Sequence, residues 1–260
     1  MVNFTSNTYQ MKREILTFTN KISEHLSKPE KKFTADITYG MLASGSCLLT
    51  EVADQLHEPS QKINIVDRLS RHLEKGTPTV AAASYLQLIK KWIPSDPVIH
   101  IDDSDVVKPD GYQFESLGIV RDGSESTSTK NVYKKGYHVT EACVYLQAVI
   151  KVARTYFSRW KIEEYFCCKK QMFQFENFRV RKLKAINALN FYITLCMAFL
   201  AHISMKSEIH ALKVAIIQTA DTIKEKEYFS QSPAPVGVIK VSLIRTLLFK
   251  IIQKFSRLVL

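Results

Sequence analysis

A long uncharged stretch runs from Ala185 to Ile203 in the second half of the chain. It contains no Asp, Glu, Lys or Arg, and its 19 residues come close to the ~20 that a transmembrane helix needs. Such a segment has to be buried, either in a protein core or in a bilayer. Because it includes Asn187, Asn190 and His202, we expect a core helix, and a membrane-spanning helix is the alternative.

The first 93 residues have the apolar spacing of α-helices. Helices are predicted at Glu14–Leu26 and Phe33–Leu42, followed by two shorter ones that a Glu58-Pro59-Ser60 turn separates. Two short helices with a tight turn resemble a helix-turn-helix. The second presents cations suited to contact DNA phosphates, among them Arg68 and Arg71. Any helical bundle offers such pairs, so a purely structural role is the alternative.

The residue pattern changes after Trp92, where prolines interrupt the helical spacing of apolar residues. Val98–Ile101 is typical of a buried strand, and four polar residues, Asp102-Asp103-Ser104-Asp105, follow it directly. Leu117–Arg121 and Tyr137–Leu146 are predicted as a second and a third strand. The chain therefore combines a short run of strands with helices on both sides.

The charge of the protein is unevenly distributed. The formal net charge is +11, and residues 151–260 hold 19 Lys and Arg against 7 Asp and Glu, a net of +12. Such a balance favours an anionic partner, nucleic acid or less often a membrane surface. Five cysteines without a CxxC pair give neither a disulfide framework nor a zinc site, and they fit a reducing cytosol.

The strongest candidates for functional residues lie in the segment TYFSRWKIEEYFCCKKQ. On a helix, Tyr156, Arg159 and Glu163 share one face, and Lys170 lies two turns beyond Glu163. A carboxylate among cations and a phenol suits a phosphodiester site, because the carboxylate binds a divalent metal while the other groups hold the nucleic-acid backbone. A solvated helix face with ion pairs is the alternative.

The four residues Tyr156, Arg159, Glu163 and Lys170 have a characteristic spacing: Tyr, two residues, Arg, three residues, Glu, six residues, Lys. It is similar to the Y-R-E-K signature of a branch of insertion-sequence DDE transposases. The flanking segments RWKIEEYF and FENFRVRKLKAINALN, and upstream IDDSDVVKP, GIVRDGS and the Gly136-Tyr137 pair, resemble that family as well. The resemblance runs from about Ile99 to Ile203 in two blocks.

The resemblance implies a ribonuclease-H-like core in which three carboxylates hold two Mg²⁺ (or Mn²⁺) ions ~3.5–4 Å apart. Such an enzyme cuts the ends of a mobile element and joins the 3′-hydroxyls to target DNA. The resemblance also implies that Tyr156, Arg159 and Lys170 contact DNA.

Two catalytic and metal-binding carboxylates can be assigned by the same resemblance. The family pattern of Asp, any residue, Ser or Thr selects Asp102, with Asp103 as the alternative, while Asp105 is expected to cap the following turn. Glu163 is the other carboxylate. Its neighbour Glu164 is rotated ~100° around the helix and is the weaker candidate.

The second family carboxylate has no counterpart. Only Gln147–Ile150 separate the third predicted strand from Lys151, whereas a strand-helix-strand unit needs roughly 30 residues. Asp110 and Asp122 lie in predicted turns, Asp122 in the family's Asp-Gly-Ser turn. An internal deletion is the simplest explanation. Substitution by Asp103 or Asp105 is the rival.

A chain of this kind is expected to be an impaired transposase with feeble Mg²⁺- or Mn²⁺-dependent nicking. The alternative is an inactive DNA-binding remnant that occupies element ends or inhibits intact transposase. The expected partners are double-stranded DNA and either a second copy or intact transposase, with no membrane. The expected location is the cytoplasm, at the nucleoid.

The predicted fold class is mixed and mostly α. We expect a helical DNA-binding domain at 1–93, a truncated ribonuclease-H-like core with about three strands at 94–203, and a basic helical region at 204–260. Helices at 206–226 and 238–260 make up that last region.

Overall fold

The computed structural model of the protein describes residues 4–93, 95, 97–144 and 160–205. Within them the chain is mixed and mostly helical, with a small antiparallel sheet of three strands, which confirms the predicted mixed, mostly helical class. The described helices are α1 (Phe4–Ser23), α2 (Lys28–Ser44), α3 (Leu49–Leu56), α4 (Lys62–Glu74), α5 (Thr79–Lys90), α6 (Trp160–Met172) and α7 (Leu183–Met205). The helices predicted at 206–226 and 238–260 lie outside the described residues.

The N-terminal helices begin earlier than their apolar pattern suggests. α2 starts at Lys28 rather than Phe33, because the Ser27 amide donates to the Glu30 carboxylate at 3.0 Å and Pro29 fits the first turn of a helix. It ends at Ser44, and the following Gly45 adopts the left-handed conformation with φ 64°. The two short helices predicted next are α3 and α4, joined by a turn that starts at His57.

The sheet has the order β1-β3-β2, with β1 at Ile99–Val107, β2 at Gly118–Arg121 and β3 at Tyr133–Val144. β3 is central and antiparallel to both neighbours, and Gly136 lies opposite β1 on one side and β2 on the other. A Cβ at Gly136 would lie 2.4 Å from the Val106 carbonyl oxygen. Glycine is therefore needed where the three strands approach one another.

The first strand differs from its prediction in length and burial. It does not end at Ile101 but continues through the acidic residues to Val107. It is also not a buried strand, since Ile99 is 56% and Ile101 70% exposed. Among the described residues β1 is an edge strand. Val106, on the face turned towards the core, is 1% exposed.

One apolar core joins the helices of the first half to α7. α7 packs against α2 and α4, and the buried cluster runs from Met11 to Ile203. By length and composition Leu183–Ile203 would suffice to cross a membrane, but 61% of its apolar window is buried inside the protein. That burial is typical of a core helix in a soluble protein.

Candidate functional site

A pocket of about 480 Å³ lies between β1 and α6. It contains Asp102, Glu163 and Lys170, which the sequence singles out, and also Asp103, the alternative to Asp102. The full lining is Asp102, Asp103, Ser104, Glu163, Phe166, Cys167, Lys170, Gln171 and Glu176. Residues far apart in the sequence thus converge on one cavity.

The helical repeat of α6 explains its contribution. Glu163, Cys167 and Lys170 are spaced by four and three residues, so they form one stripe along the helix, and this stripe lines the pocket. Ile162 and Lys169 belong to a buried stripe that lies ~100° around the helix from the first. Glu164 does not line the pocket, in agreement with its rotation away from Glu163.

The alternation of β1 distinguishes its three aspartates. Asp102 lies directly opposite Glu141 of β3, and Glu141 is 8% exposed, so both belong to the face that packs against α6. Asp103 and Asp105 belong to the other face. Both Asp102 and Asp103 line the pocket, and the strand register places Asp102 on the face that packs against α6.

The carboxylates of that other face have partners on β3. Asp103 accepts a hydrogen bond from the Thr140 hydroxyl, and the Asp105 carboxylate lies 2.6 Å from His138 Nδ1. Asp105 was expected to cap a turn. That expectation is wrong because the strand continues past it, and Asp105 instead makes a cross-strand pair.

Lys170 is held by protein groups at the edge of the pocket. Its ammonium donates to the Asp105 carbonyl at 2.6 Å and lies 2.8 Å from the Glu176 carboxylate. The side chain is 28% exposed. Lys170 therefore ties α6 to β1 while part of it stays open to the solvent. Tyr156 and Arg159, the first half of the signature, lie outside the described residues.

The donor atoms of the pocket suit a hard cation. Mg²⁺ is bound through oxygen, commonly by one or two carboxylates together with waters and substrate phosphates. Asp102 and Glu163 offer two such carboxylates. Within residues 4–93, 95, 97–144 and 160–205, no group of three His, Cys, Asp or Glu lies close enough to hold a metal. Asp102 and Glu163 are the carboxylates that would contact such an ion.

Asp110 and Asp122, which the sequence places in turns, do not line the pocket. Asp110 lies in a turn. Asp122 forms the predicted turn by accepting from the Ser124 amide at 2.9 Å, and it pairs with Lys134 at 2.8 Å. The hydrogen bond from Lys134 holds the pKa of the Asp122 carboxyl well below its usual range. Asp122 thus stabilises its loop.

The structure contains a buried ion pair close to the pocket, Glu141 with Lys169, that was not predicted from the sequence. Lys169 of α6 is fully buried and donates to the Glu141 carboxylate, to Asn190 Oδ1 at 2.9 Å and to Thr194 Oγ1 at 2.8 Å. Burial lowers the pKa of Lys169, and the neighbouring Glu141 opposes that shift. A local signal did exist, because Lys169 lies seven residues after the buried Ile162 and so continues the same stripe.

A second buried lysine fixes the loop after α6. Lys108 is 9% exposed and donates to the carbonyls of Glu176 and Phe178. Its ammonium also lies 3.9 Å from the centre of the Phe178 ring. Burial lowers the pKa of Lys108 to about 8. Because Glu176 also pairs with Lys170, this loop is part of the wall of the pocket.

The two arginines of α4 have different surroundings. Arg68 is half-buried and forms ion pairs with two carboxylates, 2.7 Å from Asp36 and 2.9 Å from Glu58. Arg71 is 77% exposed and lies 3.9 Å from Asp67. Of the two arginines expected to contact DNA, Arg71 is by far the more exposed, since the Arg68 side chain is 27% exposed.

No protein-family model, curated protein or solved structure matches this chain.

Proposed function

We propose that this protein is an insertion-sequence transposase of the DDE type, with a ribonuclease-H-like core that has lost the region of its second Asp. The observation that supports this most directly is the shared pocket of Asp102, Glu163 and Lys170. A motif spacing selected these residues, and two separate elements, β1 and α6, bring them together. A solvated helix face would not require an aspartate from β1 beside it.

In this proposal Asp102 and Glu163 hold one Mg²⁺ or Mn²⁺. When bound, the ion supplies positive charge to the transition state of phosphodiester transfer, which is worth several kcal/mol. Because the described residues contain no group of three His, Cys, Asp or Glu that could hold a metal, and the region of the second family Asp is missing by resemblance, transfer in this proposal is strongly impaired. Residual activity takes the form of slow nicking.

Double-stranded DNA is the proposed partner because the net charge is +11 and the exposed Arg71 lies on the second helix of the α3–α4 pair. Tyr156 and Arg159 join Lys170 as phosphate contacts by resemblance. A second copy, or intact transposase, is the proposed protein partner. The proposed location is the cytoplasm, on the nucleoid.

A nicking assay tests the proposal. Supercoiled plasmid is incubated with the full chain and Mn²⁺, and DNA affinity is measured in parallel by fluorescence anisotropy on a labelled duplex. Glu163→Gln should abolish nicking and leave DNA affinity unchanged, because it removes a metal ligand and no phosphate contact. The matched control is Glu164→Gln, which lies next to Glu163 but outside the pocket. Nicking by Glu163→Gln at the rate of the unmodified protein would contradict the proposal.

An inactive DNA-binding remnant is the second candidate. It is favoured because the described part of the chain contains no group of three His, Cys, Asp or Glu that could hold a metal. The same assay separates the two candidates. A remnant binds the duplex with an affinity that is independent of Mn²⁺ and nicks no plasmid at any metal concentration.

A further inference from the structure

The buried lysine of α6 joins three elements below the pocket. An ammonium has three N–H donors, and Lys169 uses them on three acceptors: Glu141 of β3 and both Asn190 and Thr194 of α7. Thr194 donates its own hydroxyl proton to the Asn190 carbonyl at 3.0 Å, so its oxygen is left to accept from Lys169. Every donor of the buried cation thus has a defined direction.

This arrangement fixes the rotation of α6. Successive residues of an α-helix are ~100° apart, so one residue with a fixed direction sets the direction of all its neighbours. Lys170 follows Lys169 directly, and Glu163 lies six residues earlier. Once Lys169 points at Glu141, Glu163 and Lys170 must face β1.

The other end of the ion pair is equally well placed. Glu141 is the direct cross-strand partner of Asp102. The Glu141–Lys169 pair therefore links the strand position beside one pocket carboxylate to the helix that carries the other. Apolar side chains would fill the same space without setting a direction, because their contacts are non-directional.

We propose that the Glu141–Lys169 pair positions the pocket: it sets the rotation of α6 so that Glu163 lines the same pocket as Asp102. Both residues act through others and do not touch the metal or the DNA. The inference rests on the proposed function, since it takes Asp102 and Glu163 as the metal ligands.

The test is a double variant of the full chain, Glu141→Leu with Lys169→Met. Replacing both charges by apolar groups of similar size is commonly neutral for stability, so this variant should fold. Two properties are measured: Mn²⁺ affinity, from the electron paramagnetic resonance signal of free Mn²⁺, and hydrogen exchange of the α6 amides. We expect Mn²⁺ to bind about ten- to a hundredfold more weakly, as is found when the groups that orient metal ligands are removed. We also expect faster exchange in α6 while α2 and α4 exchange as before.

The control is Glu74→Gln with Lys182→Met, which removes an exposed ion pair between α4 and the segment before α7. It should change neither property. Unchanged Mn²⁺ affinity in the Glu141→Leu/Lys169→Met variant overturns the inference, whether or not exchange in α6 has changed. If the unmodified protein binds no Mn²⁺, the proposed function fails together with the inference. If the unmodified protein and the double variant bind Mn²⁺ with the same affinity, the proposed function stands and only the inference fails.

Discussion

The helical bundle and the sheet side of this protein are built on different interactions. In the bundle, aromatic side chains fill the core, with Phe18 against Phe199 at 5.5 Å between ring centres and Phe33 against Tyr192 at 5.2 Å. Below the sheet, by contrast, a fully buried lysine is paired with a buried carboxylate. Apolar burial stabilises without direction, whereas buried hydrogen-bonded charges fix orientation and pay for it in desolvation. The residues proposed to be functional lie on the second kind of support.

The largest expected effect comes from breaking the buried ion pair on one side. Lys169→Met leaves the Glu141 carboxylate buried without its cation, so the free energy of unfolding should fall by about 3–5 kcal/mol. Adding Glu141→Leu should restore most of that loss. Urea denaturation of the single and double variants measures both.

In the helical bundle, a loss of stability should be independent of the buried ion pair. Phe18→Ala, at a side chain that is 2% exposed, should also remove about 3–5 kcal/mol. Its loss should simply add to that of Lys169→Met, since the two sites share no partner. Additive losses for Lys169→Met and Glu141→Leu would remove the distinction between the two regions.

A pH-dependent effect should sharpen the contrast. The pKa of Lys108 is about 8 in the folded protein against an ordinary value of 10.5, so between these values the unfolded chain binds more protons at this site. The contribution of Lys108 to stability must therefore rise as the pH increases from about 8 to about 10.5. In thermal unfolding, the Tm difference between the unmodified protein and Lys108→Met should shift in favour of the unmodified protein across that window. Lys130→Met, at an exposed lysine, serves as the control, and a difference that is constant or falls with pH would contradict the assignment.

A smaller effect distinguishes the two arginines of α4. Arg71→Ala should lower the slope of log affinity against log salt by ~1, if the exposed guanidinium contacts a phosphate. Arg68→Ala should leave that slope unchanged, because its partners are Asp36 and Glu58. Fluorescence anisotropy at several salt concentrations measures the slope. Equal changes for the two variants would show that the internal ion pairs do not decide which arginine meets DNA.

Local patterns were readable from the sequence, and long-range pairings were not. The stripe of Glu163 and Lys170 follows from helical spacing alone, and the structure does bring that stripe to Asp102. The extent of β1 could not be read, because acidic residues interrupt its apolar pattern. It stays a strand because β3 pairs with it up to Val107. Without that register, alternation could not choose between Asp102 and Asp103.

The buried ion pairs could not be predicted either, because their partners are also distant in the sequence. From the sequence alone, Lys169 looks like one of two solvated lysines in CCKK, and its partner Glu141 of β3 lies 28 residues away. Arg68 likewise looks free until Asp36 is placed beside it by the packing of α2 on α4. A charge pattern shows which residues are able to form ion pairs, but only the tertiary fold shows which pairs are made.

The most direct test of the account is the Mn²⁺ affinity of three proteins: unmodified, Asp102→Asn and Asp103→Asn. The two aspartates are adjacent but lie on opposite faces of β1, so they form a matched pair. The account predicts that Asp102→Asn loses most of the binding while Asp103→Asn retains it. Loss in Asp103→Asn with retention in Asp102→Asn, or full binding in both variants, would contradict a metal site shared by Asp102 and Glu163.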